Sequence, residues 1–349
     1  MSIWKLRLAM ILTALGVFAA GSLVLYGVMK LLEYYGFLAF TPRLFIIADA
    51  VLCMFLALFQ WLFAPYFIEL FYNCVEADPR RYPHLYEIVK ELAVKSGLKT
   101  IPKVMIANIP IPNAFAYGSP LTGPRVAVTR PLLEILDEDE LRAVLGHEIG
   151  HLKHRDVTWM LAIGLIPMIV WSIGETLLRL GFWTSILAPL GDREDVTPVV
   201  WIAIGAILLA LAFMLNIFVL AFSRYREYYA DRHSVALNPN GGIYLQRALA
   251  KIVASVRPSL LEESEDMLSL LQFKALFIQD PLASSLPRRV RSIDELIERL
   301  KRRKLTLWDH LKELLSTHPD ITKRLRMLDK FNEEFWGSSS ARYYYIPVT

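Results

Sequence analysis

The stretch LRAVLGHEIGHLKHRD, from Leu141 to Asp156, decides how this chain must fold. It contains three of the seven histidines of the sequence, and the acidic run LDEDE precedes it. After it comes an apolar stretch of about 20 residues, which is the length that an α-helix needs to cross a bilayer. A polar segment rich in residues that can bind a metal therefore directly precedes a candidate membrane helix.

The acidic run and the histidines predict one helix. Asp137 can cap its start, and Glu140, three residues on, can complete a capping box. On that helix His147 and His151 lie one turn apart on one face, where two imidazoles can hold one zinc ion. Glu148 beside them can take a proton from an attacking water, as in H-E-x-x-H metalloproteases. A solvated polar helix face is the alternative interpretation.

Two histidines leave zinc short of ligands, because a catalytic site uses three protein ligands. The stretch SRYREYYADRHSVAL, which follows another apolar segment, offers Glu227 as the third ligand. Asp231, one turn further on, can accept the ring N–H of a ligand histidine. An ordinary amphipathic helix with exposed charges explains this spacing equally well. His154 can also replace Glu227, but three histidines on one straight helix fit tetrahedral zinc poorly.

The composition indicates a membrane protein. Hydrophobic residues make up 55% of the 349, with a mean hydropathy of +0.39, whereas soluble domains average about 45–50%. We expect four membrane-spanning helices, at about Leu8–Met29, Leu44–Phe71, Val157–Leu178 and Val199–Phe222. The first has no convincing cleavage site, so it is interpreted as a retained anchor and not as a signal peptide. Asp49, Gln60 and Pro65 interrupt the second, which leaves a buried core helix as its alternative.

Basic residues near the ends of these spans predict the orientation. They lie before the first and third spans and after the second and fourth, at Lys5, Arg7, Arg80, Arg81, Lys90, Lys153, Arg155, Arg224 and Arg226. We therefore expect a multi-pass protein of the cell membrane with both termini and the H-E-x-x-H segment in the cytoplasm. The expected regions are a transmembrane hairpin at 1–72, the first half of a protease domain at 73–156, a second transmembrane hairpin at 157–222 and the second half of the protease domain at 223–349.

The expected fold is mainly α, with about four transmembrane helices and a cytoplasmic α+β metalloprotease domain that has a small sheet. A hairpin of the third and fourth spans brings its two flanking motifs out on one side of the membrane. Each motif lies within about 10 Å of its span at a rise of 1.5 Å per residue. The three ligands can therefore meet just above the membrane surface.

Longer motifs resemble the HtpX family of membrane zinc metalloproteases, which are relatives of the CAAX prenyl endoproteases. HEIGHLKHRD before one long span and REYYADRHSVAL after another carry the resemblance. It extends to PNAFAYGSP at 112–120, to VAVTRPLLEILDEDELRAVLGHE, and to STHPDITKRL at 316–325, where Leu325 replaces a more usual isoleucine. The resemblance covers most of the chain and implies a zincin-like protease domain.

The resemblance also implies roles for single residues in the metal site. His147, His151 and Glu227 would bind one zinc ion per chain, and Glu148 would be the catalytic base. Asp231 matches the acidic residue that follows the glutamate ligand in the family.

Two further segments are implied to lie near the substrate. His318 would face the substrate carbonyl and help to stabilise an oxyanion, while Arg324 would tie that segment to the acidic residues near the metal. A surface histidine before a proline is the alternative for His318. The stretch AFAYG alternates and can form an edge strand to which an unfolded substrate adds its backbone; a buried hairpin strand is the alternative. The residues expected to bind substrate there are Asn113, Ala114, Phe115 and Ala116.

The family pattern is interrupted after Arg257, in an insert-like region that extends to about residue 310. Within it PRRVRSIDELIERLKRRK, at 287–304, is basic and amphipathic, so it can lie on anionic lipid. A solvated helix face is the other interpretation. Nucleic-acid binding is not expected, because no aromatic residues interleave the basic ones.

The sequence thus predicts a zinc metalloendopeptidase that cleaves misfolded or damaged membrane proteins on the cytoplasmic side. Its expected partners are unfolded or membrane protein substrates and the lipid bilayer. A CAAX-type prenyl-protein protease is one alternative, although four spans are few to enclose a chamber. An intramembrane protease is opposed by the charged residues just before the metal motif. A zinc-binding membrane scaffold would show the same ligands but has no use for Glu148.

Overall fold

The computed structural model describes residues 10–13, 16–17, 20, 23, 27, 41–187, 196–255 and 292–337. Their contacts divide them into two units. The sheet unit takes Leu62–Val157 and the described residues from Ser223 onward. The helical unit takes the described residues up to Trp61 together with those of Thr158–Phe222.

Among the described residues, three helices are long and apolar enough to cross a membrane. They are α1 (Thr41–Phe71), α5 (Asp156–Leu187) and α6 (Thr197–Leu237). The second, third and fourth predicted spans are therefore present as helices, whereas the first lies mostly outside the described residues. At 1.5 Å per residue α6 is about 60 Å long, twice the hydrocarbon thickness of about 30 Å. Its charged C-terminal part thus continues well beyond the apolar span.

The helical unit packs α5 and α6 backbone against backbone. A Cβ atom on Gly174 would lie 2.9 Å from Leu208 Cβ, and one on Gly205 would lie 2.7 Å from the Gly174 carbonyl oxygen. Small residues suit such interfaces, because helices in lipid associate through close van der Waals contact. Buried apolar residues flank the contact at Val170, Ile173, Leu177, Ile204, Leu208 and Leu215.

The sheet unit contains a mixed four-stranded sheet in the order β1-β2-β4-β3. Its strands are β1 (Cys74–Glu76), β2 (Lys103–Ala107), β3 (Ala114–Ser119) and β4 (Gly123–Thr129). Strands β2 and β4 are parallel, and the other two pairs are antiparallel. The stretch AFAYG is therefore both an edge strand and one arm of a hairpin, so the two interpretations of it are compatible.

Helices α2 (Pro83–Lys95), α3 (Arg130–Ile135) and α4 (Glu138–His154) pack on one face of the sheet. Helices α7 (Gly241–Ser255), α8 (Ile293–Arg302) and α10 (Ile321–Trp336) extend this layer by packing on α4 or on one another, and α9 (Leu307–Leu314) follows α8 without a buried residue. Alternate strand residues enter the main core, because successive side chains point to opposite faces. Core members from strands and helices include Val104, Ile106, Val126, Leu145, Leu249 and Leu328. The other face buries a smaller cluster of Tyr72, Met105, Phe115, Tyr117 and Ala127.

The last turns of α1, from Leu62 to Phe71, belong to the sheet unit by their contacts. The Ser119 hydroxyl donates to the Leu62 carbonyl at 2.9 Å, and the Tyr117 hydroxyl donates to Glu69 at 3.1 Å. Arg125 forms an ion pair with the same glutamate. These polar contacts fix the end of the apolar helix to the β3–β4 hairpin.

For the part of residues 287–304 that the structure describes, lipid contact through an apolar helix face is wrong. Helix α8 does carry an apolar face, but Leu296, Ile297 and Leu300 bury it in the main core of the sheet unit. Only the charged face remains outside, which agrees with a solvated helix.

Candidate active site

Helix α4 begins where the acidic run predicts. The Glu140 backbone N–H donates to Asp137 Oδ1 at 2.9 Å, and the Asp137 N–H donates to Glu140 Oε2 at 3.1 Å. This reciprocal capping box confirms the predicted helix start. Val144, Leu145 and Ile149 are wholly buried, so the apolar stripe anchors the helix in the core. The histidine face is thereby turned towards α6.

Helices α4 and α6 approach closely at two glycines. A Cβ atom on Gly146 would lie 3.1 Å from Ser234 Oγ, and one on Gly150 would lie 3.3 Å from Ala230 Cα. The Ser234 hydroxyl donates to the Ala143 carbonyl across the crossing. The spacing G-x-x-x-G overlaps H-E-x-x-H, and sequence reasoning did not use this signal. The short distance between the helices lets side chains from both meet at one point.

His147, His151 and Glu227 converge at that point. Their ligand atoms all lie within 4.8 Å of one another. The two histidine Nε2 atoms are 3.0 Å apart, and Glu227 oxygens lie 3.7 Å from His147 Nε2 and 3.5 Å from His151 Nε2. Tetrahedral zinc with bonds of about 2.0–2.2 Å implies ligand separations near ~3.4 Å. The three residues therefore fit one metal ion.

Carboxylates fix the outer nitrogens of both histidines. His147 Nδ1 lies 2.8 Å from Asp231 Oδ1, and His151 Nδ1 lies 2.6 Å from Asp156 Oδ2. These contacts place the ring protons on Nδ1 and leave the lone pairs of both Nε2 atoms facing each other. Burial lowers the pKa of each histidine to about 4, so both rings are neutral near pH 7.

The site is consequently short of positive charge at its centre. Two imidazole lone pairs and a carboxylate face one another, and Arg324 approaches them from one side, with Nη2 3.3 Å from His147 Nε2 and Nη1 3.6 Å from Glu227 Oε2. Buried acceptors without donors are costly. A bound cation is the arrangement that satisfies all three groups.

Asp156 and Arg226 are functional candidates that sequence reasoning missed. Arg155 between α4 and α5 adopts a left-handed conformation, with φ 53° and ψ 46°, and the turn brings Asp156 back onto His151. Arg226 forms a buried ion pair with Asp156 and donates to the His154 carbonyl at 3.1 Å. The only sequence signals were an acid directly after the helix and an arginine directly before Glu227.

Arg324 holds the other supporting carboxylate. Its Nε and Nη2 donate to the two oxygens of Asp231 at 2.8 and 2.7 Å, and both side chains are wholly buried. Burial lowers the pKa of Arg324, but Asp231 outweighs that effect and the net shift is upward. Arg324 Nη1 also lies 3.6 Å from Glu227 Oε2. The residue from the C-terminal segment therefore supplies a permanent charge behind the ligands.

Glu148 lies beside the ligands and against strand β3. Its carboxylate accepts a hydrogen bond from the Ala116 backbone N–H. Burial, reinforced by nearby Glu227, nevertheless raises the pKa of Glu148 well above its usual value. A carboxyl group with a raised pKa can both take up and release a proton near neutral pH.

The four expected substrate-binding residues divide into two pairs. The Asn113 backbone N–H donates to the Thr129 hydroxyl, and the Thr129 N–H donates to the Asn113 carbonyl, so Asn113 faces β4. Along an edge strand, residues that bond to the partner strand alternate with residues that do not. Ala114 and Ala116 therefore direct their backbone groups to the outer edge of the sheet. Phe115 packs 5.1 Å from Tyr72, ring to ring, in the smaller cluster. The Phe115 side chain thus belongs to the core, and substrate contact through the backbone of this segment stays a prediction.

His318 lies at the ligand cluster, with its Nδ1 3.1 Å from Glu227 Oε2. It is buried, so this carboxylate is held against its ring away from solvent. His154 points elsewhere, since its ring packs on Tyr229 and His233 at 4.3 and 5.1 Å. His154 is therefore not positioned as a third ligand.

The sequence matches known proteins over most of its length. Residues 79–332 match peptidase family M48. A protein named "Protease HtpX homolog" from Aeropyrum pernix is 45% identical over 292 residues, which cover 82% of this chain and 87% of that relative. The chain belongs to the HtpX family of M48 peptidases. It is accordingly a membrane metallopeptidase.

Other HtpX proteins support the same assignment. "Protease HtpX homolog 2" from Sulfurisphaera tokodaii is 38% identical over 330 residues, covering 93% of this chain and 97% of the relative. "Protease HtpX homolog" from Thermoplasma volcanium is 37% identical over 329 residues, covering 94% and 96%. The crystal structure of S. mikatae Ste24p shares the fold of this HtpX-family chain. It has a TM-score of 0.53 at 18% identity and covers 93% of this chain and 67% of that one.

Proposed function

We propose that this chain is a zinc-dependent endopeptidase that hydrolyses peptide bonds of misfolded or damaged membrane proteins on the cytoplasmic side. The observation that supports it most is the convergence of three unprotonated acceptors, His147, His151 and Glu227, beside buried Glu148. A purely structural zinc site closes all four positions with protein and needs no base.

His147, His151 and Glu227 would hold one zinc ion in this proposal. Zinc bound there would polarise the substrate carbonyl and make the attacking water more acidic. Glu148 takes the proton of that water and later hands it to the leaving amine. Its raised pKa suits this role, because the group must retain the proton between the two steps. The Ala116 N–H orients the carboxylate without neutralising it.

His318 is proposed to stabilise the negative charge that develops on the substrate carbonyl oxygen. Its ring nitrogens are buried next to Glu227 and make no other hydrogen bond in the described part of the chain. A donor held in a dry site is worth more than one in water, because it need not reorganise. Arg324 keeps the segment in place through Asp231.

The outer edge of β3 is proposed to bind an extended stretch of substrate. Ala116 lies against Glu148 and is part-exposed, so a peptide that adds as a further strand can reach the β3 edge there, whereas Ala114 is buried. Backbone recognition carries little sequence preference. It suits substrates that have lost their fold, whatever their sequence.

The proposed orientation rests on the basic residues at the ends of the spans. We expect an impermeant thiol reagent to label Val94→Cys, an exposed position on α2, in inverted membrane vesicles and not in right-side-out ones. Labelling in right-side-out vesicles alone would place the sheet unit outside the cell.

The decisive test of catalysis is Glu148→Gln in full-length protein, compared with wild type for bound zinc and for cleavage of an unfolded fluorescent substrate. We expect one zinc per chain in both and a fall in hydrolysis on the order of 10²–10⁴-fold, the range for loss of a general base. Glu138→Gln is the matched control, because Glu138 lies exposed on the same helix, where it pairs with Arg142 at 3.1 Å. It should cut normally.

Two other outcomes would redirect the search. Undiminished cleavage by Glu148→Gln would show that another group is the base. Zinc in both proteins with cleavage by neither, across unfolded and membrane substrates, would favour a zinc-binding scaffold.

A further inference from the structure

Helix α9 carries its apolar residues on the outside. Exposed fractions are 85% for Leu307, 64% for Trp308, 51% for Leu311, 42% for Leu314 and 60% for Leu315, and no residue of the helix is buried. At 100° per residue these five side chains share one arc of about 120°. They form a continuous apolar face, which we call the α9 apolar face.

The polar side of α9 is the side attached to the protein. Asp309 pairs with Arg303 at 2.5 Å and accepts from the Thr306 hydroxyl at 2.8 Å. Glu313 forms an ion pair with Lys323. Both acidic side chains are nearly inaccessible, with 13% and 12% exposed. A surface helix in water turns its apolar stripe inward. Helix α9 turns its apolar stripe outward, so this face is suited to contact with an apolar surface.

Arg224 fixes the end of α9 near the apolar boundary of α6. Its Nη1 atom donates to the carbonyl oxygens of Glu313 and Ser316, both at 2.8 Å. Arg224 lies two residues beyond Phe222, where the fourth predicted span ends, which is about 3 Å along the helix. The C-terminal carbonyls of α9 are therefore tied to the first cationic residue after a candidate membrane span.

The charge around the α9 apolar face suits an anionic surface. Arg302, Lys304 and Lys312 are exposed, whereas both acids of the helix face inward. Lys312 Nζ lies 6.0 Å from the centre of the Trp308 ring. Tryptophan and lysine are enriched where hydrocarbon meets headgroups. Exposed leucines next to basic residues are typical of helices that lie in the membrane interface.

We infer that α9 is an interfacial helix that inserts the α9 apolar face among the lipid headgroups. The occupant of this face is lipid, with anionic headgroups around the three basic residues. Only Ser316 and Thr317 separate the apolar face from His318, so docking also holds the segment that carries this histidine. The inference concerns membrane contact and does not depend on metal binding or catalysis.

The test places an environment-sensitive fluorophore on α9 in full-length protein. Leu311→Cys is labelled in a Cys53→Ala, Cys74→Ala background and reconstituted in bilayer discs that hold one copy of the chain. Quenching is measured with aqueous iodide and with nitroxide lipids, in discs with and without anionic lipid. Val94→Cys, an apolar side chain on α2 with 65% exposure, is the matched control.

The expected result is loss of most iodide quenching at position 311 relative to position 94, with strong quenching by nitroxide lipid. A nitroxide near the headgroups should quench more than one at the chain end, because such helices lie only about 5–10 Å deep. Anionic lipid should strengthen the protection. Iodide access at 311 equal to that at 94 would overturn the inference. Protection from iodide without lipid quenching would also overturn it, in favour of cover by protein.

Discussion

At the scale of single residues, the candidate site contains two parallel arms. In each arm an arginine pairs with an aspartate that holds the outer nitrogen of a ligand histidine. One arm is Arg324, Asp231 and His147, and the other is Arg226, Asp156 and His151. The arginines neutralise the acids, and the acids fix the rings. Such outer partners orient metal ligands and raise their affinity.

The arm through Asp156 yields a prediction for zinc affinity. Asp156→Asn keeps the size of the side chain but removes the negative charge that orients His151 and forms the ion pair with Arg226. We expect zinc affinity to fall about 10–100-fold, the usual effect of losing such a partner. Competition with a chelating dye measures it. Cleavage at saturating zinc should fall much less than affinity.

Asp139→Asn is the control for this change, because Asp139 is exposed on the first turn of α4. An Asp156→Asn protein with wild-type zinc affinity and reduced thermal stability would assign Asp156 to structure alone.

Sequence spacing locates residues that share a straight helix and fails where the chain turns. His147, Glu148 and His151 follow from helical periodicity, and Glu227 follows from the need for a third ligand. Asp156 could not be placed, because its position depends on the left-handed backbone at Arg155. A non-glycine residue in that conformation is uncommon, and periodicity does not predict it.

At the scale of helices and strands, the crossing of α4 and α6 sets the distance between ligands. Gly150 faces Ala230 and His233, with 3.3 Å available to a Cβ atom. Gly150→Val should force the helices apart, cost about 1–3 kcal/mol of stability as overpacking does, and weaken zinc binding. Thermal melts with and without added zinc measure both effects.

Gly164→Val is the matched control for this prediction. Gly164 lies on α5, and a Cβ atom there would meet nothing within 4 Å. Its effect on zinc affinity should be negligible. Equal zinc affinity in the two valine variants would show that the crossing distance does not govern the metal site.

The sequence predicted helices correctly where one helix face or one apolar run determines whether the helix forms. The acidic cap of α4 and the three described spans are of this kind. Prediction failed for the apolar face of α8 and did not reveal the contacts at the end of α1, because partners distant in sequence decide both. The hairpin residues Ser119 and Tyr117 hold α1 in the sheet unit, and the main core takes the apolar face of α8. Amphipathic pattern alone does not tell which partner covers a face.

At the scale of the whole molecule, the sheet unit is assembled from two chain segments that the α5–α6 hairpin separates. His147 and His151 come from the first segment and Glu227 from the second. A metal bound by all three stabilises the folded unit by about 2.7 kcal/mol when free zinc is 100 times the Kd. Chelation should therefore lower the melting temperature of wild type, and added zinc should restore it.

The same melting experiments distinguish the proposed metal ligands from the proposed catalytic base. Glu148→Gln should show the full zinc-dependent shift, because it keeps all three ligands. His151→Ala should show little or none. A wild-type melting temperature that does not respond to chelation would argue against a metal shared by the two segments.

The order of the segments along the chain also affects when the enzyme can act. Arg324 contacts His147 across 177 residues of sequence. At a translation rate of about 5–20 residues per second, roughly 9 to 35 seconds pass between the synthesis of these two residues. By the end of that time the ribosome has delivered the histidines, α5, α6 and Glu227, and Arg324 is the last of these residues to be made. We therefore expect the site to stay incomplete, and hydrolysis not to begin, until elongation reaches the C-terminal segment.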